Sequence, residues 1–363
     1  MPEPMTICGY GLGDVRRSLR DAIDRVDRRA ANRWTAELVV TPAAVGSLWS
    51  VFWVAWACNL GPGGARACAA SGPSPTLAIL LRQTWDQITA AATAYAGDWP
   101  AFRNDPQVRG IAAEMMMRLL TQPRQTPVVW PSKEVILYDV SAMRETPVPA
   151  AADGSVVLSV WHRTDDALEL RLMAGRFLAA VERGDLRMAL SAVAWTMMPT
   201  AVTSLKAMER GQASLTAKQR ASPLWFWLEL GAAYMSAKPQ LHRGWITAHR
   251  ATVDACKSHY KRWSAADRMR ILLAWVLQMR AVLQPAPDSL WVAPPLEITA
   301  AEIDLSYREV AAELTDPEAA CRPAAAAVAT TEKDKKREAA SRAEARMAEA
   351  DAKIMALMGL SDE

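Results

Sequence analysis

Phenylalanine is scarce in this chain. Four Phe stand against fifteen Trp and seventeen Met in 363 residues, so tryptophan and methionine take the large-core roles that Phe and Tyr usually share. Cysteine is sparse and scattered: Cys8, Cys58, Cys68, Cys256 and Cys321 form no CxxC pair. An odd count of isolated thiols suits a reducing compartment, cytoplasmic or nuclear, where they act as small core hydrophobes. No GxxxxGK[ST] stretch occurs, so no Walker phosphate loop can form. GxSxG, a Cys-His nucleophile signature and carboxylates paired in a recognisable setting are also missing. A non-catalytic protein is therefore expected, with no cofactor and no metal. The opening residues, MPEPMTICGYGLGDVRRSLRD, lack a basic start followed by an apolar stretch, so secretion is not expected.

What is present is a globular balance of 51% hydrophobic and 22% charged residues, with a net charge of +3 that neither implies nor excludes a nucleic-acid partner. The length suits two ordinary domains, or one domain with a tail. Helical periodicity dominates. Arg16 to Leu38 reads as one helix, with Leu19, Ile23, Ala30, Trp34 and Leu38 on its apolar face. Further helices are expected from just after Pro42 to the GPGG at Gly61 to Gly64, over Thr76 to Tyr95, over Val108 to Leu120, and from about Asp166 to Leu283. VVWPSKEVILYDV (Val128 to Val140) and SVVLSVW (Ser155 to Trp161) are rich in β-branched residues and read as a small hairpin or an extended linker. Pro285, Pro287, Pro294 and Pro295 mark the end of the compact body. The expected fold is mostly α, with two related helical modules at 1–125 and 166–285. Between them lies a linker or hairpin at 126–165. A Pro/Ala-rich linker at 286–330 leads to a charged helical tail at 331–363.

The two modules align with each other. LRDAIDRVDRRAA (Leu19 to Ala31) matches FLAAVERGDLRMA (Phe177 to Ala189), with Ala22, Arg25, Asp27, Arg29 and Ala31 identical to Ala180, Arg183, Asp185, Arg187 and Ala189. An LW-led helix follows in each, at Leu48-Trp49 and Leu224-Trp225. An Arg-led, Met-rich helix comes third, VRGIAAEMMMRLL from Val108 and RMRILLAWVLQM from Arg268. Three landmarks in one order point to an internal repeat. Asp27 and Asp185 read as helix-turn or inter-helix structural acids, not catalytic ones.

The repeat bears on the uncharged run from Leu38 to Ala65, which is long enough to cross a bilayer. Its counterpart carries Glu229 in mid-run, and a carboxylate there is costly in a membrane. Trp49, Trp53 and Trp56 also sit along the centre of the run, whereas membrane tryptophans favour the interfaces. A buried helix is expected, not a span.

The pattern LRDAI, D, A, W, EL over Leu19 to Leu38, followed by an LW-led helix, resembles the C-terminal helical region of the replication-associated recombination protein A family, also called MgsA or Werner-helicase-interacting protein. The resemblance covers Leu19 to Pro123 and again Phe177 to Pro285. It implies a clamp-loader-like collar that assembles into oligomers and helps engage DNA. The family's ATPase core has no counterpart here. Its Glu-Asp-x-Gly helix ending is replaced by ACNLGPGG (Ala57 to Gly64) and AAYMSAKPQ (Ala232 to Gln240).

Several local patterns invite a functional reading. GYGLGD (Gly9 to Asp14) lacks the G-x-G-x-x-G spacing and reads as an N-terminal turn. His242, His249 and Cys256 recur every seven residues, about 10 Å apart on a helix and too far to share a metal. Arg17, Arg20, Arg25 and Arg28 form a basic cluster that Asp21 and Asp24 are spaced to neutralise. The best candidate surface is HRGWITAHRATVDACKSHYKRW (His242 to Trp263). Arg243, Arg250, Lys257, Lys261 and Arg262 stand there against one acid, Asp254, with Trp245, Tyr260 and Trp263 interleaved. Cations neutralise phosphates and aromatics stack on unpaired bases, so Arg243, Arg250, Lys257, Lys261, Arg262 and Trp263 are the candidate nucleic-acid contacts. The plain alternative is a solvated basic face whose aromatics point inward. The expected function is a DNA replication or repair accessory protein that binds DNA, an AAA+ ATPase partner, or both. A self-associating scaffold, such as a component of a large DNA virus, is the alternative.

Overall fold

The computed structural model describes residues 4–41, 44–58, 74–122, 129–145, 154–198, 205, 207–238, 243–281 and 298–313. Among them the chain is mostly α with no strand, and the one β-type pairing is an isolated bridge between Met5 and Gly11. The first half holds α1 (Leu12–Arg25), α2 (Arg28–Val40), α3 (Val45–Cys58), α4 (Pro75–Ala94), α5 (Trp99–Asn104) and α6 (Pro106–Thr121). Then come α7 (Lys133–Glu145) and α8 (Gly154–Val160). The second half holds α9 (Leu168–Arg183), α10 (Leu186–Met197), α11 (Ala217–Arg220), α12 (Pro223–Ser236), α13 (Arg243–His259) and α14 (Ala265–Ala281), and α15 (Ala300–Ala312) follows. The expected tail at 331–363 lies outside the described residues.

Arg16 to Leu38 is two helices, not one. Val26 takes a left-handed conformation at φ 58°, and Asp27 caps the next helix by accepting from the Ala30 N–H at 3.0 Å. The second half repeats the joint: Gly184 is left-handed at φ 73°, and Asp185 accepts from the Met188 N–H at 3.1 Å. A short carboxylate at that position satisfies one of the free N–H groups of the new helix. The two aspartates are thus N-caps. Glycine adopts the left-handed region without strain, whereas β-branched Val26 does so at a cost.

The expected hairpin segments are helices. Ser132, after Pro131, accepts from the Val135 N–H at 3.4 Å and starts α7. Ile136, Asp139, Val140 and Met143 are its buried face, a spacing of three and four residues that belongs to a helix. α8 buries Val156, Val157 and Val160 against α9 and α12. Packing overrides the strand preference of these valines and isoleucines, a preference that is itself mostly a packing effect.

The long uncharged run becomes α3, in which every residue from Val45 to Ala57 is buried. Glu229, its charged counterpart, is half-exposed and accepts from Arg210 Nε at 2.7 Å. No helix among the described residues is long and apolar enough to cross a membrane. The buried indoles find acceptors inside the fold. Trp49 donates to the Leu81 carbonyl at 3.2 Å, Trp56 to the Ser74 carbonyl at 2.9 Å and Trp227 to the Thr196 hydroxyl at 2.8 Å. An indole N–H left unpaired in this interior is costly, so these bonds fix where each helix can lie.

The same neighbours recur in both halves. α2 touches α3 as α10 touches α12, and α3 touches α4 as α12 touches α13. The pair α4–α6 corresponds to α13–α14, and α2–α6 to α10–α14. The halves meet where α4 lies on α13 and α3 on α14, and one hydrophobic core runs through both. Segments 1–125 and 166–285 are therefore halves of one packed body.

The segments flanking the second half are also part of that body. α7 leaves the first half and packs on α10 of the second, while α15 leaves the second half and packs on α2 of the first. Each contact is clasped by the same repeat position. Arg187 on α10 grips Asp139 of α7 at 2.7 and 3.1 Å, and Arg29 on α2 pairs with Glu309 of α15 at 2.9 Å. The 286–330 segment, expected as a linker, thus contains a docked helix. Its start is a capping box in which Thr299 and Glu302 each satisfy the other's N–H.

Two outcomes follow for stability. Val26→Gly is expected to raise it by about 1 kcal/mol, because Val26 is half-exposed and its left-handed strain exceeds the flexibility a glycine adds. Asp139 is buried and also accepts from the Ser191 hydroxyl at 2.6 Å. Asp139→Ala should therefore cost about 2–3 kcal/mol. Glu309→Gln should cost about 1 kcal/mol or less, because Arg29 is largely in solvent. Urea unfolding of the three variants checks both.

Candidate nucleic-acid interface

α13 is amphipathic by construction. Trp245, Ala248, His249, Thr252, Ala255, Cys256 and His259 fall at three- and four-residue steps and are buried. They pack against α4, α12, α14 and α3. Arg243, Arg250 and Lys257 stand at seven-residue steps on the opposite face and are exposed, and exposed Lys261 continues the row in the turn after the helix. Seven residues are nearly two turns, so the three helical cations keep within a narrow arc and climb about 10 Å per step.

These four cations form no ion pair among the described residues. Asp254, the one acid of the stretch, is bridged by Arg82 of α4 at 3.1 Å, and Arg82 also holds Asp86. Arg82 is thus shared between Asp254 and Asp86 and offsets Asp254 in part. The N-terminal basic cluster is different. It is neutralised, though not by Asp21 and Asp24 as its spacing suggests: Arg17 pairs with Asp14, Arg20 with Asp267 and Arg28 with Glu302, each at 2.9 Å.

Two of the six candidate contacts have other work. Trp263 is buried, and its indole donates to the Ser50 carbonyl of α3 at 3.1 Å, so it cannot stack on a base. The Arg262 guanidinium lies against Gly46, leaving 2.7 Å between its Cζ and the place a Cβ would occupy. Its Nη1 donates to the Ser258 carbonyl at 3.1 Å, and its own carbonyl accepts from Arg16 Nη2 at 2.9 Å. Trp245 is buried as well. Tyr260 is buried with its ring 5.3 Å from that of Trp225 and the Arg268 guanidinium 4.3 Å from its centroid. The aromatics belong to the core and the cations to the surface.

The inward histidines and cysteine serve packing. His249 accepts from the Trp275 indole at 3.2 Å, and burial pushes its imidazole down to about 4. His259 lies between Trp85 and Trp263, with ring centroids 4.8 and 5.9 Å away. Burial, then the nearby Arg262 charge, pushes it down to about 3. The Cys256 thiol is pushed up to about 12 by burial and stays protonated. His242 lies outside the described residues. The GYGLGD turn offers no phosphate cradle. The Gly9 and Tyr10 N–H groups donate to the Thr6 carbonyl and hydroxyl, that of Leu12 to the Pro4 carbonyl and that of Asp14 to the Gly11 carbonyl. The groove of about 600 Å³ between α2 and α15 is lined by Arg29, Arg33, Trp34, Glu309 and Glu313, whose charges already pair across it.

No family model, no curated protein and no solved structure matches this chain. Function must be argued from the surface itself, where the row of free cations on α13 stands out.

The histidines predict an acid response. Both are depressed below the unfolded value near 6.5, so the unfolded chain binds their protons first and stability falls as pH drops from 6.5 toward 4. At pH 5 each costs the fold about 2 kcal/mol. Urea midpoints of wild type at pH 7 and 5 should show the loss, and His259→Phe should remove about half of it.

Proposed function

We propose that this protein is a non-catalytic accessory factor of DNA replication or repair, which binds DNA through the exposed face of α13. The observation that carries the reading is the row Arg243, Arg250, Lys257 and Lys261: exposed, aligned and without ion-pair partners among the described residues. Four cations aligned along α13 and the turn after it gain by releasing counterions from phosphates, and the one acid of the stretch is bridged by Arg82. The collar-like resemblance and the paired halves support the wider role. A helical body built twice over, without an ATPase core, suits a partner of a replication ATPase more than an enzyme in its own right. In this reading the two halves are copies of one helical unit, fused and clasped by α7 and α15.

Fluorescence anisotropy with a labelled duplex across a salt series tests it. Arg243→Ala/Arg250→Ala/Lys257→Ala/Lys261→Ala should weaken binding at least tenfold at low salt. Lys133→Ala/Arg163→Ala/Lys218→Ala, which removes exposed cations elsewhere, should change it less than threefold. Equal losses in the two variants, or no binding by the wild type at low salt, would sink the proposal and favour a protein scaffold.

A further inference from the structure

The basic stretch of α13 combines cations with aromatics in sequence, a mixture suited to single strands. The fold separates them. Trp245, Tyr260 and Trp263 are buried, and the outward face around the cations carries Thr247, the bridged Asp254 and Ser258, with half-buried Ile246 and Val253 at its edge. The Thr247 hydroxyl donates back to the Arg243 carbonyl at 3.1 Å. No aromatic ring on this face is available to stack on a base. Its row also lacks the Asn and Gln side chains that pair with adenine edges, and its long cations stand about 10 Å apart along a rigid rod.

We propose, on the assumption that the α13 face binds DNA, that its ligand is duplex DNA held by the phosphate backbone alone, without reading sequence and without a single-strand preference. A duplex presents its phosphates already ordered. A rigid row of cations therefore meets them without the ordering cost that a single strand incurs. Single-strand proteins offset that cost by stacking bases on aromatic rings, and this face has none to offer. Arginine and lysine placed only on phosphates fix position but carry no sequence information.

The test uses the full chain with four labelled probes of equal length: two duplexes of unrelated mixed sequence, one mixed single strand and oligo(dT). The two duplexes should bind within about twofold of each other and at least fivefold tighter than either single strand. The slope of log K against log salt on duplex should be about −3, as expected when three to four phosphates are neutralised. Tighter binding of oligo(dT), or a tenfold difference between the two duplexes, would overturn this inference and leave DNA binding intact. Absence of binding to all four probes would overturn the proposed function as well.

Discussion

Every buried tryptophan in this protein brings an N–H that water can no longer reach. With four phenylalanines in the chain, the core is filled by a side chain that carries a polar demand into an apolar interior. The demand is met for several of them by backbone carbonyls, which can accept a second bond, and for Trp227 and Trp275 by the Thr196 hydroxyl and the His249 ring. Trp49 reaches the Leu81 carbonyl, the half-buried Trp130 the Met269 carbonyl and Trp263 the Ser50 carbonyl. The last two tie distant parts of the chain together, Trp130 to α14 and Trp263 to α3. Such a bond has a length and a direction, so it fixes helix register where apolar packing alone tolerates sliding. The placement of α13 depends on it, because Trp263 anchors the turn in which that helix ends.

The reciprocal crossing of α7 and α15 is the second constraint. A helix that follows each half packs on the other, and the same arginine of the repeat pairs with it. The two clasps differ in kind. Asp139 is buried and bonded by Arg187 and Ser191, whereas Glu302, Glu309 and Glu313 reach arginines at the surface of α2. Removing Asp139 strands a buried hydroxyl, whereas removing a surface glutamate leaves its partner to water. The halves are held together mainly where α4 lies on α13 and α3 on α14, and α15 adds the buried Ser306, Tyr307 and Val310, with the ion pairs as guides.

α13 shows how one helix can serve core and surface at once. Its seven-residue recurrence places histidine and cysteine inward and cations outward. Burial removes charge from the inward set, holding the imidazoles neutral and the thiol protonated. The outward set keeps its charge because Arg82 of α4 occupies the one carboxylate within reach. The sign of this face is thus set partly by a helix more than a hundred residues away in the chain.

Helices, their order and the recurrence of the Asp27 and Asp185 turns could be read from local pattern, because periodicity and capping are properties of a few consecutive residues. So could the burial of the uncharged run, through the Glu229 of its counterpart. The T-x-x-E box at Thr299 and Glu302, followed by Ile303, Tyr307 and Val310, was also a readable helix signal inside a stretch that composition marks as linker. Strand-like valines at Val156 and Val157 were misleading, because β-branched preference expresses packing surface and here that surface is a helix bundle. The break at Val26 was hidden, since a left-handed valine has no sequence signature. Tertiary structure alone decided which arginines are free and which aromatics are buried. A charge is cancelled, and a ring desolvated, by whatever lies beside it in space, and for Asp254, Arg20 and Trp263 those neighbours come from the other half of the chain.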